Sequence, residues 1–399
     1  MKKFTRTVAI ILTVAMAILM FVSCNKQENN GPVKNDDGTY TVKIGGIGAT
    51  TGAYANYGLS VKQGAQLAVD QINAAGGFDG ITFELLFADS QGVAESAVAA
   101  YGKLLDDGML ISLGGTMSGE TASIVAEGKE DGILMLTPSA SAKDAIAGNN
   151  NAFRVCFNDP QQGTASAQFI FDNQLATKVA VFYQSDTDYS SGLYDTFKAE
   201  CAVKGIEIVA EQTFTSDSAS DFTAQINKLK EAKDEGATVI FTPIYAEEAA
   251  TFLTQAAQAG LTGVTFFGCD GLDGIIGKLS DPDYAEGTML LTSFAADSNE
   301  ADVKAFVEAY KAKYNAVPDQ FAASAFDAVY AIKAAMQQAG LKDGDFDNFN
   351  ERLVAAMTQI EVDGVTGTSS IKWTADGEAE KKANAVIIKN GEAVAYTKD

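Results

Sequence analysis

The chain contains no histidine among its 399 residues. That absence removes Ser-His-Asp and Cys-His catalysis, histidine-ligated metals and the usual proton shuttle near neutral pH. Cysteine is also scarce. Cys24, Cys156, Cys201 and Cys269 are widely spaced with no CxxC pair, so no thiolate zinc site is expected. The last three sit in or beside apolar segments and read as packing residues, with a disulfide between two of them left open. Basic residues are few: 29 Lys and Arg against 52 Asp and Glu give a net charge of −23, which argues against nucleic acid as a partner. The acids are scattered over predicted helix faces and read as a solvated surface. No GxxxxGK[ST] phosphate loop occurs. The run Gly46-Ile47-Gly48 has Thr51 where a dinucleotide fingerprint places its third glycine, and Gly52 comes one residue late. No cofactor and no metal are expected. Carboxylates alone could still serve an enzyme, but no Asp/Glu pair is marked out by a surrounding motif, and an enzyme is the weaker reading.

A second membrane-length apolar run is also missing, which excludes a permease. The first such run is N-terminal. Lys2, Lys3 and Arg6 precede an apolar stretch from Val8 to Val22 that ends at Ser23-Cys24, the layout of a secretion signal. It resembles a bacterial lipobox, with Phe21 at the usual Leu position, so residues 1–24 are expected to be a lipoprotein signal peptide and Cys24 the lipidated N-terminus. The alternative is a retained single-pass anchor. Either way the remainder faces outward, extracytoplasmic and tied to the membrane. Residues 25–39 are polar and aperiodic and are expected to be a flexible tether. About 360 residues follow, more than one core usually serves, so two lobes are expected.

What is present is an alternation of short apolar strands with amphipathic helices. Residues 44–77, IGGIGATTGAYANYGLSVKQGAQLAVDQINAAGG, run from strand through a Gly/Thr turn and two tyrosines into a helix with Val61, Ala65, Ala68, Val69 and Ile72 on one stripe. Gly45, Gly46, Gly48 and Gly52 are expected to let backbone amides approach a ligand. Strands follow at 83–87, 109–113, 133–136, 179–183, 206–209, 239–242, 264–267 and 289–294. Such an order gives parallel sheets with ligands at the carboxyl ends of the strands. Helices near 300–314, 321–339 and 347–358 exceed the needs of a second lobe. The chain is therefore expected to form lobe 1 from 40–158 plus 290–365 and lobe 2 from 159–289 plus 366–399, with a hinged cleft between them.

GATTGAYANYG followed by GAQLAVDQINAAGG, then DGILMLTPSAS, DTDYSSGLY, VIFTPIYAEEAATFLTQAAQAGL and FFGCDGL occur in an order and spacing that resembles the type I periplasmic binding proteins of branched-chain amino-acid ABC transporters, the leucine/isoleucine/valine-binding family. The resemblance extends over nearly the whole mature chain. It implies an α/β fold of two doubly wound parallel-sheet lobes joined by a three-strand hinge. It also implies a small-molecule ligand, an amino acid, delivered to the transmembrane subunits of an ABC permease.

The resemblance also assigns site residues. Ser118 matches the serine that binds the ligand carboxylate, just before a helix whose unpaired amides favour an anion; the alternative is a helix cap. Ser139 and Ser141 match positions holding the ammonium and carboxylate, with ordinary turn serines as the alternative. Asp270 matches the acid that faces the α-ammonium, one methylene shorter than the usual Glu, or else is a turn aspartate. Tyr189 and Tyr245 match aromatics of lobe 2 that close over the ligand; Tyr57 and Phe321 match lobe 1 walls of its side-chain pocket, Phe321 being equally at home as a core residue. Gly119 and Glu120 replace a polar serine run, and the TPSAS serines differ from leucine-type residues. Amides, urea or other small polar solutes therefore stay open as ligands beside an aliphatic amino acid, as does a ligand sensor that feeds a signalling receptor.

Overall fold

In a computed structural model of the protein, the structure describes residues 31–342, 344–367, 370–381 and 384–398. The signal segment and Cys24 lie outside the described residues.

Two sheets carry the fold. The first contains β1 (Val33–Lys34), β2 (Tyr40–Gly48), β3 (Ile81–Asp89), β4 (Ile111–Ser112), β5 (Met135–Thr137) and β6 (Ala152–Arg154). The last five run parallel, and β1 lies antiparallel on β2. Helices α1 (Ala55–Ala74), α2 (Ala94–Asp106) and α3 (Ser118–Glu127) connect them. The second sheet has the order β15-β14-β11-β10-β9-β7-β8. It is built from β7 (Lys178–Gln184), β8 (Glu207–Phe214), β9 (Val239–Phe241), β10 (Thr265–Gly268) and β11 (Met289–Thr292), all parallel, with β14 (Asn384–Lys389) and β15 (Glu392–Ala395) added antiparallel. Around it lie α4 (Asp159–Asp172), α5 (Asp188–Lys204), α6 (Thr223–Asp234) and α7 (Ala246–Gln258). After β11 come α8 (Ala301–Tyr314), α9 (Gln320–Gln338), α10 (Phe349–Met357) and the small pair β12 (Glu361–Val362) and β13 (Ile371–Lys372). The sheet order follows from chemistry: strands such as KVAVFYQ and MLLT are apolar on both faces, as parallel strands covered by helices must be.

Two details differ from the sequence expectation. Residues 33–34 are not free tether: they pair with Tyr40 and Thr41 across a turn in which the Asn35 amide donates to the Thr39 carbonyl at 2.8 Å and Gly38 takes φ +92°. The chain leaves the second sheet after Thr292 and rejoins it at Asn384, so neither 290 nor 366 is the point of crossing. Residues 371–379 stay against the end of β6, where the Trp373 indole donates to the Arg154 carbonyl at 2.8 Å and the Arg154 amide donates to the Gly377 carbonyl at 2.9 Å.

Helix α9 packs on α1 beside the first sheet, and a close approach makes this possible. A Cβ on Gly64 would stand 2.0 Å from the Ala322 carbonyl oxygen. The two helices therefore touch backbone to backbone there, which brings Tyr57 of α1 and Phe321 of α9 into edge-on contact at 4.8 Å. The glycines of β2 have a different use from the expected one. Side chains at Gly45, Gly46 and Gly48 would strike Met109, Phe87 and Thr116, so these positions are bare for packing and not for ligand approach.

Candidate functional site

All eight residues singled out for ligand contact, Tyr57, Ser118, Ser139, Ser141, Tyr189, Tyr245, Asp270 and Phe321, line one cavity together with Thr116, Met117 and Gly271. Its free volume is small, about 10 Å³. The lining segments follow the carboxyl ends of β4, β5, β9 and β10 or sit at the starts of α1, α3, α5 and α9, where an open parallel sheet exposes loops and helix N-termini.

One end of the cavity suits an anion. Ser118 is the first residue of α3, and Met117 precedes it in extended conformation without a side-chain cap. The Ser118 hydroxyl does not cap its own helix; it accepts from the Ala142 amide at 3.1 Å, tying α3 to the loop after β5. The cap is supplied by buried Glu120, whose carboxyl accepts from the Met117 amide at 3.0 Å and from the Ser90 hydroxyl at 2.5 Å. Burial lifts the Glu120 carboxyl above its usual range, against the pull of its hydrogen bonds from Ser90 and Met117. The remaining first-turn amides of α3 have no partner within the helix and carry its positive dipole end. Across from them, the Ser139 hydroxyl donates to the Thr116 carbonyl at 2.7 Å.

A buried cation organises this wall. The Arg154 guanidinium, wholly enclosed, donates to the carbonyls of Ala140, Ser141 and Ala142 at 2.9, 2.7 and 3.0 Å and to that of Lys143 at 3.2 Å. Its Nε lies 3.1 Å from the Glu378 carboxylate, close enough for an ion pair though not aligned as a hydrogen bond. Arg154 thus folds the TPSAS loop around itself and holds the serines in place. The sequence does carry a signal for it, an arginine inside the apolar run AFRVCF.

The same lining carries one acid. Asp270 starts the short 3₁₀ turn after β10. It is 5 % exposed, accepts from the Tyr189 hydroxyl at 2.8 Å, and donates its amide to the Gln162 side-chain oxygen at 3.0 Å. Burial pushes its carboxyl up to about 6, against the opposing pull of the Tyr189 hydrogen bond. Asp159, the first residue of α4, has no exposed surface; neither carboxylate oxygen has a well-aligned hydrogen-bond partner, although Ser141 and the Arg154 charge lie near enough to favour its ionised form. Burial first and Asp270 second push this carboxyl well above the ordinary carboxylate range. Sequence reasoning missed Asp159 because Asn158-Asp159-Pro160 reads as a helix start, which it also is. Asp159 does not line the cavity itself; it lies behind it, close enough to Asp270 to affect its charge, and lines a separate surface pocket with Lys143 and Asp188.

The walls are aromatic. Tyr189 and Tyr245 stack at 4.5 Å and 11°, and Tyr57 stands 5.9 Å from Tyr245. The Tyr57 hydroxyl is engaged between the two sheets' elements: it donates to the Gly271 carbonyl at 2.6 Å and accepts from the Ala246 amide at 2.7 Å. Nearby, Tyr54 donates to Glu248 at 2.8 Å, while Lys278 reaches the Ala53 carbonyl at 2.5 Å. Cys156, Cys201 and Cys269 are free and buried. Among the described residues no cluster of three His, Cys, Asp or Glu side chains is placed to hold a metal, and no helix is long and apolar enough to cross a membrane.

Comparison with known proteins agrees with this geometry. The family model for periplasmic binding proteins matches residues 41–393. A Leu/Ile/Val-binding protein homolog from Brucella melitensis is 34% identical over 76% of this chain and 80% of its own length. A leucine-, isoleucine-, valine-, threonine- and alanine-binding protein from Pseudomonas aeruginosa is 30% identical over 86% of this chain and 87% of its own. Among solved structures, the branched-chain amino-acid transporter substrate-binding protein LivJ of Streptococcus pneumoniae, crystallised with isoleucine, shares 29% identity, covers 89% of this chain and 98% of its own, and superposes with a TM-score of 0.79. The chain belongs to the periplasmic binding proteins, in the type I branched-chain amino-acid family, and is an extracytoplasmic solute-binding protein of the ABC-transporter kind, not an enzyme.

Proposed function

We propose that the protein captures an aliphatic α-amino acid in the cavity between its two lobes and hands it to an ABC permease. The observation that carries this reading is the lining of a single small cavity, which combines the start of a helix and three serines with one buried acid, Asp270, and aromatic rings. An α-carboxylate fits the start of α3 with Ser118 and Ser141, and an α-ammonium fits Asp270, with the Ser139 carbonyl beside it and the Asp159 carboxyl behind it. The side chain then faces Tyr57, Phe321 and Met117. Relatives whose names give leucine, isoleucine, valine, threonine or alanine as ligands support the same class.

Contacts come from both lobes, so only the closed form makes them all, and the ligand shifts the hinge equilibrium by its differential affinity for that form. Lobe 1 is built on the first sheet with the helices between β11 and β14, and lobe 2 on the second sheet, which the chain leaves after Thr292 and rejoins at Asn384. The closed shape is what the permease would recognise. Anchoring to the membrane through lipid on Cys24 keeps the receptor near that permease.

The test is calorimetry on ligand-stripped protein with the aliphatic amino acids, acetamide and urea, preceded by a melting screen, since a ligand of the folded state raises its melting temperature. Binding of leucine, isoleucine, valine or alanine with the ligand recovered unchanged is the expected result. Binding of urea or amides alone would overturn the amino-acid assignment.

A further inference from the structure

Between Asp270 and the side-chain wall of the cavity lies a junction to which no ligand role has been given. Asp270 opens a 3₁₀ turn, Asp270–Leu272, that ends at Asp273 and belongs to the second lobe. Gln320 opens α9, adjoins the wall residue Phe321, and belongs to the first lobe. Two hydrogen bonds join them: the Gln320 amide donates to the Asp273 carboxylate at 3.0 Å, and the Gln320 side chain donates to the Asp270 carbonyl at 3.3 Å. Helix α9 is capped on its own side by Asp319, which accepts from the Ala322 amide at 2.9 Å and from the Ser60 hydroxyl at 2.5 Å. The Gln320 amide, a first-turn donor that the helix itself cannot satisfy, is thus left for the other lobe.

We infer that Asp273 and Gln320 form an interlobe lock, positioning residues that couple the turn holding Asp270 to the helix holding Phe321 and so hold the cleft shut on its ligand. The contact exists only while the lobes are closed, because its two partners sit on different lobes. Its location three residues from Asp270 and one from Phe321 means that a ligand which draws these two walls together also brings the lock into register. The long helix behind Gln320 adds its positive dipole end to the attraction for the Asp273 carboxylate. The opposing effects are the burial of Asp273, which raises its carboxyl above the ordinary range, and repulsion from Asp319 and Asp270. The hydrogen bond from the Gln320 amide offsets them in the closed form.

This inference rests on the cavity being the ligand site, and the experiment separates the two. Calorimetry and stopped-flow dissociation would be run at pH 6.5 on the wild type, Asp273→Ala, Asp273→Asn and Gln320→Ala, with isoleucine as probe and the melting temperature of each ligand-free protein as control. Asp273→Ala and Gln320→Ala are expected to weaken binding about tenfold, the effect of one buried hydrogen bond. The loss is expected in faster dissociation, with the ligand-free melting temperature unmoved. Asp273→Asn keeps an oxygen acceptor and should recover most of the affinity. Unchanged or tighter binding in Asp273→Ala would overturn the lock, as would a loss matched by an equal fall in ligand-free stability. A wild type that binds no amino acid would overturn the ligand assignment and the lock with it, whereas normal wild-type binding with indifferent variants would overturn the lock alone.

Discussion

Replacing Asp270 by Asn should move affinity and stability in opposite directions. The Asn side chain has nearly the same shape and retains an oxygen for the Tyr189 hydroxyl, which sits 2.8 Å from the carboxylate, so the perturbation is chiefly a charge. Deleting one partner of a buried charge pair costs about 2–5 kcal/mol, roughly 30-fold to a few thousand-fold in affinity for an α-ammonium ligand. Without ligand the same carboxylate is a burden. Its pKa rises from an ordinary 3.8 to about 6 on burial, so the ionised folded protein carries a penalty of about 3 kcal/mol. The sign follows from proton linkage: the folded protein holds this proton more tightly than the unfolded chain. The penalty is absent below about pH 4, grows as pH rises to about 6, and is complete above that. Asp270→Asn should therefore melt higher than the wild type at pH 8 without ligand, by an amount set by how far the empty protein closes, and no higher at pH 4. Calorimetry at pH 8 should show the weakened binding. Wild-type affinity should fall as pH drops through about 6, with a proton released for each ligand bound. A variant with unaltered affinity would refute the ammonium role, and one that melts lower at pH 8 would refute the burial penalty.

Tyr57→Phe keeps the ring against Phe321 but strands the Ala246 amide and the Gly271 carbonyl in the closed form. At about 1–3 kcal/mol per stranded group, partly relieved by water, affinity should fall about 30-fold, with faster dissociation in stopped flow and an unchanged ligand-free melting curve. Arg154→Met leaves four carbonyl acceptors and Glu378 without their partner. Loss of about 3–5 kcal/mol in urea unfolding is expected, large enough to tell a structural arginine from a ligand contact. Asp159→Asn removes a carboxyl that burial and Asp270 hold well above its ordinary range. Ligand-free stability at pH 8 should rise while amino-acid affinity falls, and a fall in both would show that Asp159 is paired in solution.

The sequence displayed what depends on local pattern and hid what depends on distant partners. Strand and helix order was legible because strands such as KVAVFYQ and the Val61, Ala65, Ala68 stripe of α1 are periodic in themselves. The cavity residues were legible through family resemblance, and the structure brings all eight to one place. The bare positions of β2 misled, since a glycine kept small for Met109 or Phe87 looks in sequence like one kept open for a ligand. Arg154 was overlooked because its partners are backbone carbonyls, which leave no trace in sequence. Asp159 was hidden in a different way, for an acid at the first turn of a helix already has a sufficient local explanation.

The polar groups that cross the cleft divide into two kinds, and the division bears on how closure works. The Asp270 carboxylate accepts from the Tyr189 hydroxyl and Asp159 has no well-aligned partner, so these two acids are left short of positive charge in the absence of ligand. Tyr57 and Gln320, by contrast, are satisfied across the lobes by the protein alone, through the Ala246 amide and Gly271 carbonyl in one case and Asp270 and Asp273 in the other. Closure without ligand thus gains the second set of contacts while burying the first set at a penalty. These contributions oppose each other, and under the proposed function a ligand that supplies one ammonium tips the hinge toward closure. A solute of similar size without a cation would find the cross-lobe hydrogen bonds ready but leave the two acids uncompensated. If the cavity takes an amino acid as proposed, discrimination against neutral amides rests on Asp270, with Asp159 behind it, and not on the aromatic walls that give the cavity its shape.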